Sequence, residues 1–433
     1  MRGVPQTITS TRPCPQCAAP IEADPRFADW CPACEWNLAP VQEPSRRRGE
    51  RSRARSRARV ERLYRALAAR PPESDQHRSG AWVLAVLLAT LVNLVTLAVL
   101  AGSLWLLVAG ALVLKALALV GLGLAWLLRP RLGRWRAAEP GELTAAQAPV
   151  LHAVTARIAA ALDTRTPDRI VVDHAYNASY ARIGLRGRVQ LTVGLPLWTA
   201  LAEDERLALL GHELGHGSNG DQRRELWLMM AHSALTEWCR LLLPHFGYRF
   251  QRRGMRQAAD TNLVTLFLQL LAQPVLLLLT VLNRLTERSS QQAEYLADNR
   301  AATVASSGAA ERMLAKLMLH QSVQVRLGQQ RSAAQRGGRT GRSGTAPVEE
   351  FWTGLREYLD SVPASERERR IRLSALEMTA VDTTHPPTHL RMRMRATRPD
   401  RAATVTVDPA EWAAIEAELA PARSRIGRQL LGW

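Results

Sequence analysis

The stretch LLGHELGHGSNGD, Leu209 to Asp221, decides how the rest of the chain is read. Its two histidines, His212 and His216, stand four residues apart, and in a helix residues i and i+4 share a face. Both imidazoles can therefore point at one ion. Glu213 falls about 100° round the helix from His212, beside such an ion and not on it, where a general base belongs. The acids of the preceding AEDERLALL lie in the helix's first turn, where its dipole favours them. Leu207, Leu210 and Leu214 line faces that can enter a core. An ordinary amphipathic helix that happens to hold two histidines is the competing reading. A third ligand separates the two.

The candidate lies in SSQQAEYLADNRAA, Ser289 to Ala302, where Glu294 and Asp298 are again four apart. Glu294 completes a set of two histidines and one carboxylate, leaving one coordination position open for water. Asp298 can accept a hydrogen bond from the second nitrogen of a ligand histidine and so fix its tautomer. Glu213 would then take the proton of the attacking water and pass it to the leaving amine. Alone, EYLAD reads as a surface helix. Beside HELGH it reads as the other half of a zinc site.

HELGHGSNGD, EYLAD and THPPTHLR (Thr384–Arg391) together resemble the HtpX and CAAX-prenyl endopeptidase family of membrane zinc peptidases, over roughly Leu143 to Arg393. The resemblance implies a gluzincin-type core with zinc on His212, His216 and Glu294, and with Glu213 as catalytic base. It further implies that His385 stabilises the oxyanion and that Arg391 supports the site. In YNASYARIGL it implies a strand, here Asn177, Ala178 and Ser179, that borders the cleft and pairs with substrate backbone. Members with the HtpX layout have two membrane spans between the HExxH motif and the third ligand. Here one run is strongly apolar, Leu263–Leu282, and a weaker one, Leu226–Leu243, is broken by His232, Glu237 and Arg240. His212 and Glu294 can share an ion only if an even number of crossings separates them. Two crossings would put the basic YRFQRRGMR (Tyr248–Arg256) outside, against the positive-inside rule. The expectation is two helices packed into the catalytic domain or dipping into the membrane, with a four-span layout as the alternative.

The N-terminal CPQC and CPAC, Cys14–Cys17 and Cys31–Cys34, can supply four thiolates to a tetrahedral structural zinc, as in a zinc ribbon. With four protein ligands that shell is closed to catalysis. A redox CxxC needs only one pair and a βαβ setting that is missing here. The fifth cysteine, Cys239, stands alone, so no disulfide framework is expected.

The net charge of +18 over 433 residues is almost wholly arginine, since Lys115 and Lys316 are the only lysines. That usage fits a GC-rich bacterial source. Such a charge admits nucleic acid or an anionic membrane surface as partner, and the chain's layout selects the membrane. From Ala81 to Leu128 it is nearly all apolar, broken by AGS at Ala101–Ser103 into runs of about 20 and 25 residues, enough for two spans. Trp82 and Trp126 near the outer ends, and Trp105 near the turn, suit interfacial anchors. Arg70, Arg78, Arg129, Arg131, Arg134 and Arg136 flank the open ends and place both in the cytoplasm. The polybasic tract Pro44–Arg70, helical only towards Leu63–Leu67, then meets anionic lipid headgroups. Lys115 within the second run is read as hydrogen-bonded to Asn93 at matching depth, or as snorkelling. MRGVPQTITSTR has no apolar core, so no cleavable signal peptide is expected.

The expected fold class is α+β and mainly helical. Residues 1–40 form a zinc ribbon, 41–79 a basic linker and 80–129 a membrane hairpin. Residues 137–396 form the peptidase domain, with a small edge sheet, apolar helices at 226–243 and 263–282, and a flexible basic loop at 325–348. A helical tail occupies 397–433. The expected function is a bacterial inner-membrane zinc endopeptidase, multi-pass and facing the cytoplasm, with one catalytic and one structural zinc. It would act on protein or peptide substrates in membrane-protein quality control. An inactive membrane adaptor whose ribbon recruits protein or nucleic-acid partners is the alternative.

Overall fold

The computed structural model describes residues 10–39, 47–69, 80–131, 133, 135–136, 138–184, 186–218, 222–243, 263–336, 346–377 and 386–432. Strands β1 (Ser10–Pro13) and β2 (Pro20–Ala23) pair antiparallel, with the first cysteine pair in the turn between them. Helix α1 (Arg47–Ala68) is longer than the short helix expected near Leu63. It is seated by Tyr64 and Leu67, which pack with Tyr295, Leu390 and Met394.

The second sheet has the order β3-β4-β6-β5, built from β3 (Glu142–Leu143), β4 (Arg169–Asp173), β5 (Ala178–Ile183) and β6 (Arg188–Gly194). Strands β4 and β6 run parallel, with Ile170 opposite Leu191. Strand β5 is antiparallel to β6 and forms the outer edge, with Ala178 opposite Val193 and Ser179 opposite Thr192. Leu143 is taken into β3, and α4 (Pro149–Ala161) opens on Pro149, whose missing N–H costs nothing at a first helical position.

The remaining helices are α5 (Leu195–Ala200), α6 (Glu203–Gly215), α7 (Gln222–Leu242), α8 (Leu263–Ala305), α9 (Ser307–Leu317), α10 (His320–Arg336), α11 (Ala346–Asp360), α12 (Ala364–Glu377), α13 (Thr388–Ala396) and α14 (Pro409–Leu431). One core joins Ile158, Ile170, Leu191, Trp198, Leu210, Leu214 and Trp352 from most of these elements. Helix α14 belongs to it, so residues 397–433 are not a tail. Trp412, Ile415, Leu419 and Ile426 are buried there, each worth about 1.5–3 kcal/mol of apolar transfer. Arg206 also reaches Glu416 at 2.7 Å. Part of the loop expected at 325–348 is helix as well, since α10 runs to Arg336 and α11 starts at Ala346.

Before the core come two apolar helices, α2 (Gly80–Ala109) and α3 (Leu112–Leu128). Their turn is at Gly110–Ala111 and not at Ala101–Ser103. In the AGS run the Ser103 hydroxyl donates to the Val99 carbonyl at 2.7 Å, so the helix continues. Gly121 of α3 faces Ser103 so closely that a Cβ would stand 2.2 Å from its oxygen. Ser103 and Gly121 make a helix–helix contact, and the AGS run makes no bend. The moved turn puts Lys115 in the first turn of α3, exposed, one step from the hairpin's end. Asn93 does not meet it, because its side-chain amide donates to the Trp227 carbonyl at 3.1 Å.

Trp227 belongs to α7, and that contact reveals a second cluster. Ala85, Ala89 and Val92 of α2 pack with Ala231, Ala234, Leu235 and Cys239 of α7 and with Leu279 and Leu282 of α8. The two internal apolar helices therefore pack on the base of the hairpin instead of inside the catalytic core. Small alanines on α2 and α7 permit this close approach. Helix α8, 43 residues long, runs on from that cluster into the core. Large apolar side chains stay exposed along α2 from Val83 to Val108, along α3 from Leu112 to Leu127, and on α8 from Leu263 to Leu277.

Candidate active site and cysteine centre

Helix α6 presses its GHELG segment onto the ADNRAA segment of α8, and two glycines make the fit possible. A Cβ at Gly211 would stand 2.9 Å from Val304 Cβ and 3.2 Å from Ala301 Cα. One at Gly215 would stand 3.2 Å from Ala297 Cα. These positions were not picked out in the sequence, although Gly-x-x-x-Gly opposite Ala-x-x-x-Ala is the pattern that could have shown them. The close approach brings side chains of the two helices into one pocket.

There His216 Nε2 lies 3.5 Å from Glu294 Oε1, and His212 Nε2 lies 3.7 Å from Glu294 Oε2. The three ligand atoms all fall within 4.8 Å of one another. Ligands at 2.0–2.2 Å from a tetrahedral ion stand roughly 3.3–3.6 Å apart, so the set fits a zinc-sized cation. His212 Nδ1 faces Asp298 Oδ1 at 3.1 Å, which leaves Nε2 for a metal. Arg391 from α13 grips the same carboxylate with two bonds, Nε to Oδ2 at 2.9 Å and Nη2 to Oδ1 at 2.6 Å. Its Nη2 is also 3.3 Å from His212 Nε2 and 3.4 Å from Nδ1, so the guanidinium lies across the ring and bonds chiefly to Asp298.

His212, Glu213, Glu294, Asp298 and Arg391 are all buried. Burial by itself would raise the Asp298 carboxyl, but Arg391 and His212 outweigh it and hold the group far below the usual carboxylate range. The Arg391 guanidinium is correspondingly held in its charged form by Asp298, Glu294 and Glu213 against the pull of burial. Three carboxyl groups, Glu213, Glu294 and Asp298, thus share this buried pocket with one guanidinium, an acid-rich setting that suits a divalent cation.

Ala178 and Ser179 open the outer strand β5, next to the end of α6, and Asn177 stands just before it. A Cβ on Gly217, the residue after His216, would stand 2.7 Å from the hydroxyl of Tyr180 on that strand. The Asn177 carbonyl accepts the Gly194 N–H at 2.9 Å. His385 lies outside the described residues; Pro386 and Pro387 that follow it are buried at the entry to α13.

Far along the chain, Cys14, Cys17, Cys31 and Cys34 form a second cluster, with all four sulfurs within 4.8 Å. Sγ atoms of Cys14 and Cys34 are 3.7 Å apart and those of Cys17 and Cys31 are 3.5 Å apart. Four sulfurs at 2.3 Å from a tetrahedral zinc stand about 3.8 Å apart, which this cluster matches. The two knuckles repeat one geometry. Ala18 N–H donates to the Cys14 carbonyl and Glu35 N–H to the Cys31 carbonyl, and both Ala18 and Glu35 take φ of +59°. Burial pushes the Cys31 thiol up, but the N–H groups of Cys34 and Ala33 more than offset it and bring it to about 7.

A family model, peptidase family M48, matches residues 145–397. The chain belongs to this family. No curated protein and no solved structure matches it. As an M48 member it is a metallopeptidase acting on proteins or peptides, and its helical α+β domain carries His212, His216 and Glu294 as a candidate metal-binding group.

Proposed function

We propose that this M48 chain is a membrane-anchored zinc endopeptidase whose catalytic unit faces the cytoplasm of a bacterial cell and takes part in membrane-protein quality control. The convergence of His212, His216 and Glu294 beside Glu213 carries the proposal. A zinc ion held by those three side chains supplies Lewis acidity, polarising the scissile carbonyl and lowering the pKa of water. Glu213, buried one residue from His212, accepts the proton of the attacking water and returns it to the departing amine. Asp298 holds the His212 ring in the tautomer that offers Nε2, and Arg391 keeps Asp298 ionised and oriented. Strand β5, with Asn177–Ser179, offers an edge for an extended substrate. His385 is proposed as the donor to the oxyanion.

Membrane anchorage is supported by the exposed apolar side chains of α2, which run about 38 Å from Val83 to Val108, more than the hydrocarbon thickness of about 30 Å. Trp105 and Trp126 are exposed on the hairpin, and Arg129 stacks 3.4 Å from the Trp126 ring centre, a pair suited to a membrane interface. The arginines of α1 and of Arg129–Arg136 favour anionic headgroups on the cytoplasmic side. An inactive adaptor is less well supported, because the base and all three ligands are in place. The deciding experiment compares wild type with Glu213→Gln in detergent. Wild type and variant should each hold two zinc ions per chain, while casein cleavage is lost in the variant alone. Undiminished cleavage by Glu213→Gln would overturn the mechanism.

A further inference from the structure

The cysteine centre is not a free module. Its second knuckle, Cys31–Cys34, is gripped from α12. Arg372 donates from Nη1 to the carbonyl of Pro32, inside the knuckle, at 2.6 Å, and its guanidinium lies 5.2 Å from the ring centre of Trp30. Trp30, buried beside Cys31, donates from its indole to the Ser365 carbonyl at 3.1 Å. Arg369, also buried, donates to the Leu38 carbonyl at 3.0 Å while its other nitrogens are held by Glu366. At the adjoining corner Arg26 bonds the carbonyl of Ser361 at 2.9 Å and its hydroxyl at 2.7 Å. Phe27 packs against the catalytic core itself. The aromatic surface with which such a ribbon could recruit partners is thus turned inward.

Helix α12 leads directly to the site. Ser374 in its last turns is buried, with its hydroxyl 3.3 Å from His389 Nδ1 on α13. Half a turn beyond His389 comes Arg391, which clamps Asp298 and lies across His212. The line starts at the exposed Pro32 carbonyl, passes along α12 from Arg372 to the buried Ser374, crosses to His389, and follows α13 to Arg391 beside a candidate metal ligand.

We propose that the four-cysteine metal centre is a positioning element of the peptidase. By fixing the Pro32 and Leu38 carbonyls against Arg372 and Arg369, it sets α12, and through Ser374 and His389 sets α13, so that Arg391 meets Asp298 and His212 in register. A metal at the cysteines holds both knuckles, with their left-handed residues Ala18 and Glu35, in the conformation that presents those carbonyls. Without it the knuckles relax, α12 loses its grip, and Arg391 is no longer aimed. The inference rests on His212, His216 and Glu294 being the catalytic ligands.

The test uses the full-length enzyme in detergent, loaded with cobalt so that the two centres are distinguished by their absorption. Cys31→Ser/Cys34→Ser should retain one metal per chain, at the histidine–carboxylate site, with an altered ligand-field spectrum there. Its kcat should fall ~10–100-fold, the scale for a displaced outer-shell partner, with KM little changed. Arg372→Ala leaves all four cysteines intact and should keep both metals, yet lower kcat in the same direction, and Arg372→Lys should restore part of the loss. Wild-type kcat and spectrum in either folded variant would overturn the proposal. So would a rise in KM alone, which would make the ribbon a substrate contact. If the cysteine variant does not fold, Arg372→Ala decides by the same criteria. Wild type that holds a single metal, lost with the cysteines, would instead defeat the underlying ligand assignment.

Discussion

At the scale of single residues, the site's least replaceable ion pair is Asp298 with Arg391, which stand 3 % and 2 % exposed. A buried pair adds little net stability, but removing one partner strands the other charge at a cost of ~3–5 kcal/mol. Asp298→Asn keeps the volume and removes the charge. It should lower thermal stability markedly and weaken metal binding at the histidine–carboxylate site ~10–100-fold, measured by chelator competition. Unaltered metal affinity would leave Asp298 with only a packing role. The pH dependence has a definite sign. A carboxyl depressed in the folded protein contributes above its unfolded pKa, about 3.9, and that contribution is lost only as pH falls through the lower folded value. Activity lost between about pH 4 and 7 is therefore not due to Asp298. At this scale the candidate site was legible: the four-residue spacings of His212 with His216 and of Glu294 with Asp298 each put a pair on one helix face, with Glu213 beside the first. The contacts of Arg369 and Arg372 with the ribbon were not recognisable, since they join residues more than 330 positions apart and end on backbone carbonyls.

At the scale of elements, the proposed ligands come from α6 and the turn that ends it and from α8, so on that proposal the distance between the two helices is a catalytic parameter. Gly211 and Gly215 set it for α6 against α8. Gly215→Val should drive the helices apart by about an ångström, cost ~1–3 kcal/mol of overpacking and abolish metal binding at His212, His216 and Glu294 while sparing the cysteine centre. Zinc analysis would read one ion per chain. Two ions with normal turnover would mean that the interface can slide without harm. Gly102→Ala is the natural control, because no atom lies within 4 Å of its added Cβ, and in a helix interior it should be neutral or stabilising. The two glycine sites show why element boundaries were harder to read than chemistry. Gly102 and Ser103 look like a break in the apolar run, yet the helix passes through both, with Ser103 meeting Gly121 of α3, and the turn falls at Gly110, just after α2. Periodicity reports which residues are apolar, whereas a turn depends on what the neighbouring helix permits.

At the scale of the molecule, the arrangement of α7 bears on topology. Trp238, near the end of that helix, donates to the Leu128 carbonyl at the open end of the hairpin, and Glu237 pairs with Arg131 at 3.0 Å just beyond it. Arg131 also donates its backbone N–H to Ser233 at 2.7 Å. Helix α7 has only four residues left after Trp238, about 6 Å of rise, whereas α3 extends about 25 Å from Leu128 back to the turn. It therefore stops at the level where the hairpin opens, and its Glu237 is paired with Arg131, which leaves α3, and with Arg240 of its own last turn. On the proposed orientation, with that open end at the cytoplasmic face, α7 is expected not to cross, in keeping with the positive-inside expectation for the basic run that follows it in sequence. On that proposal the exposed apolar residues of α8 from Leu263 to Leu277 would enter the near leaflet. Single cysteines placed at Ser79, Gly110, Gly254 and Gly337 and probed in intact cells with an impermeant maleimide should report only Gly110 from outside. Labelling of Gly254 as well would make α7 and α8 a second pair of spans, leaving the metal site possible, since His212 and Glu294 would remain on one side. Gly337 outside with Gly254 inside would separate the ligands by an odd number of crossings, and no shared ion could then exist.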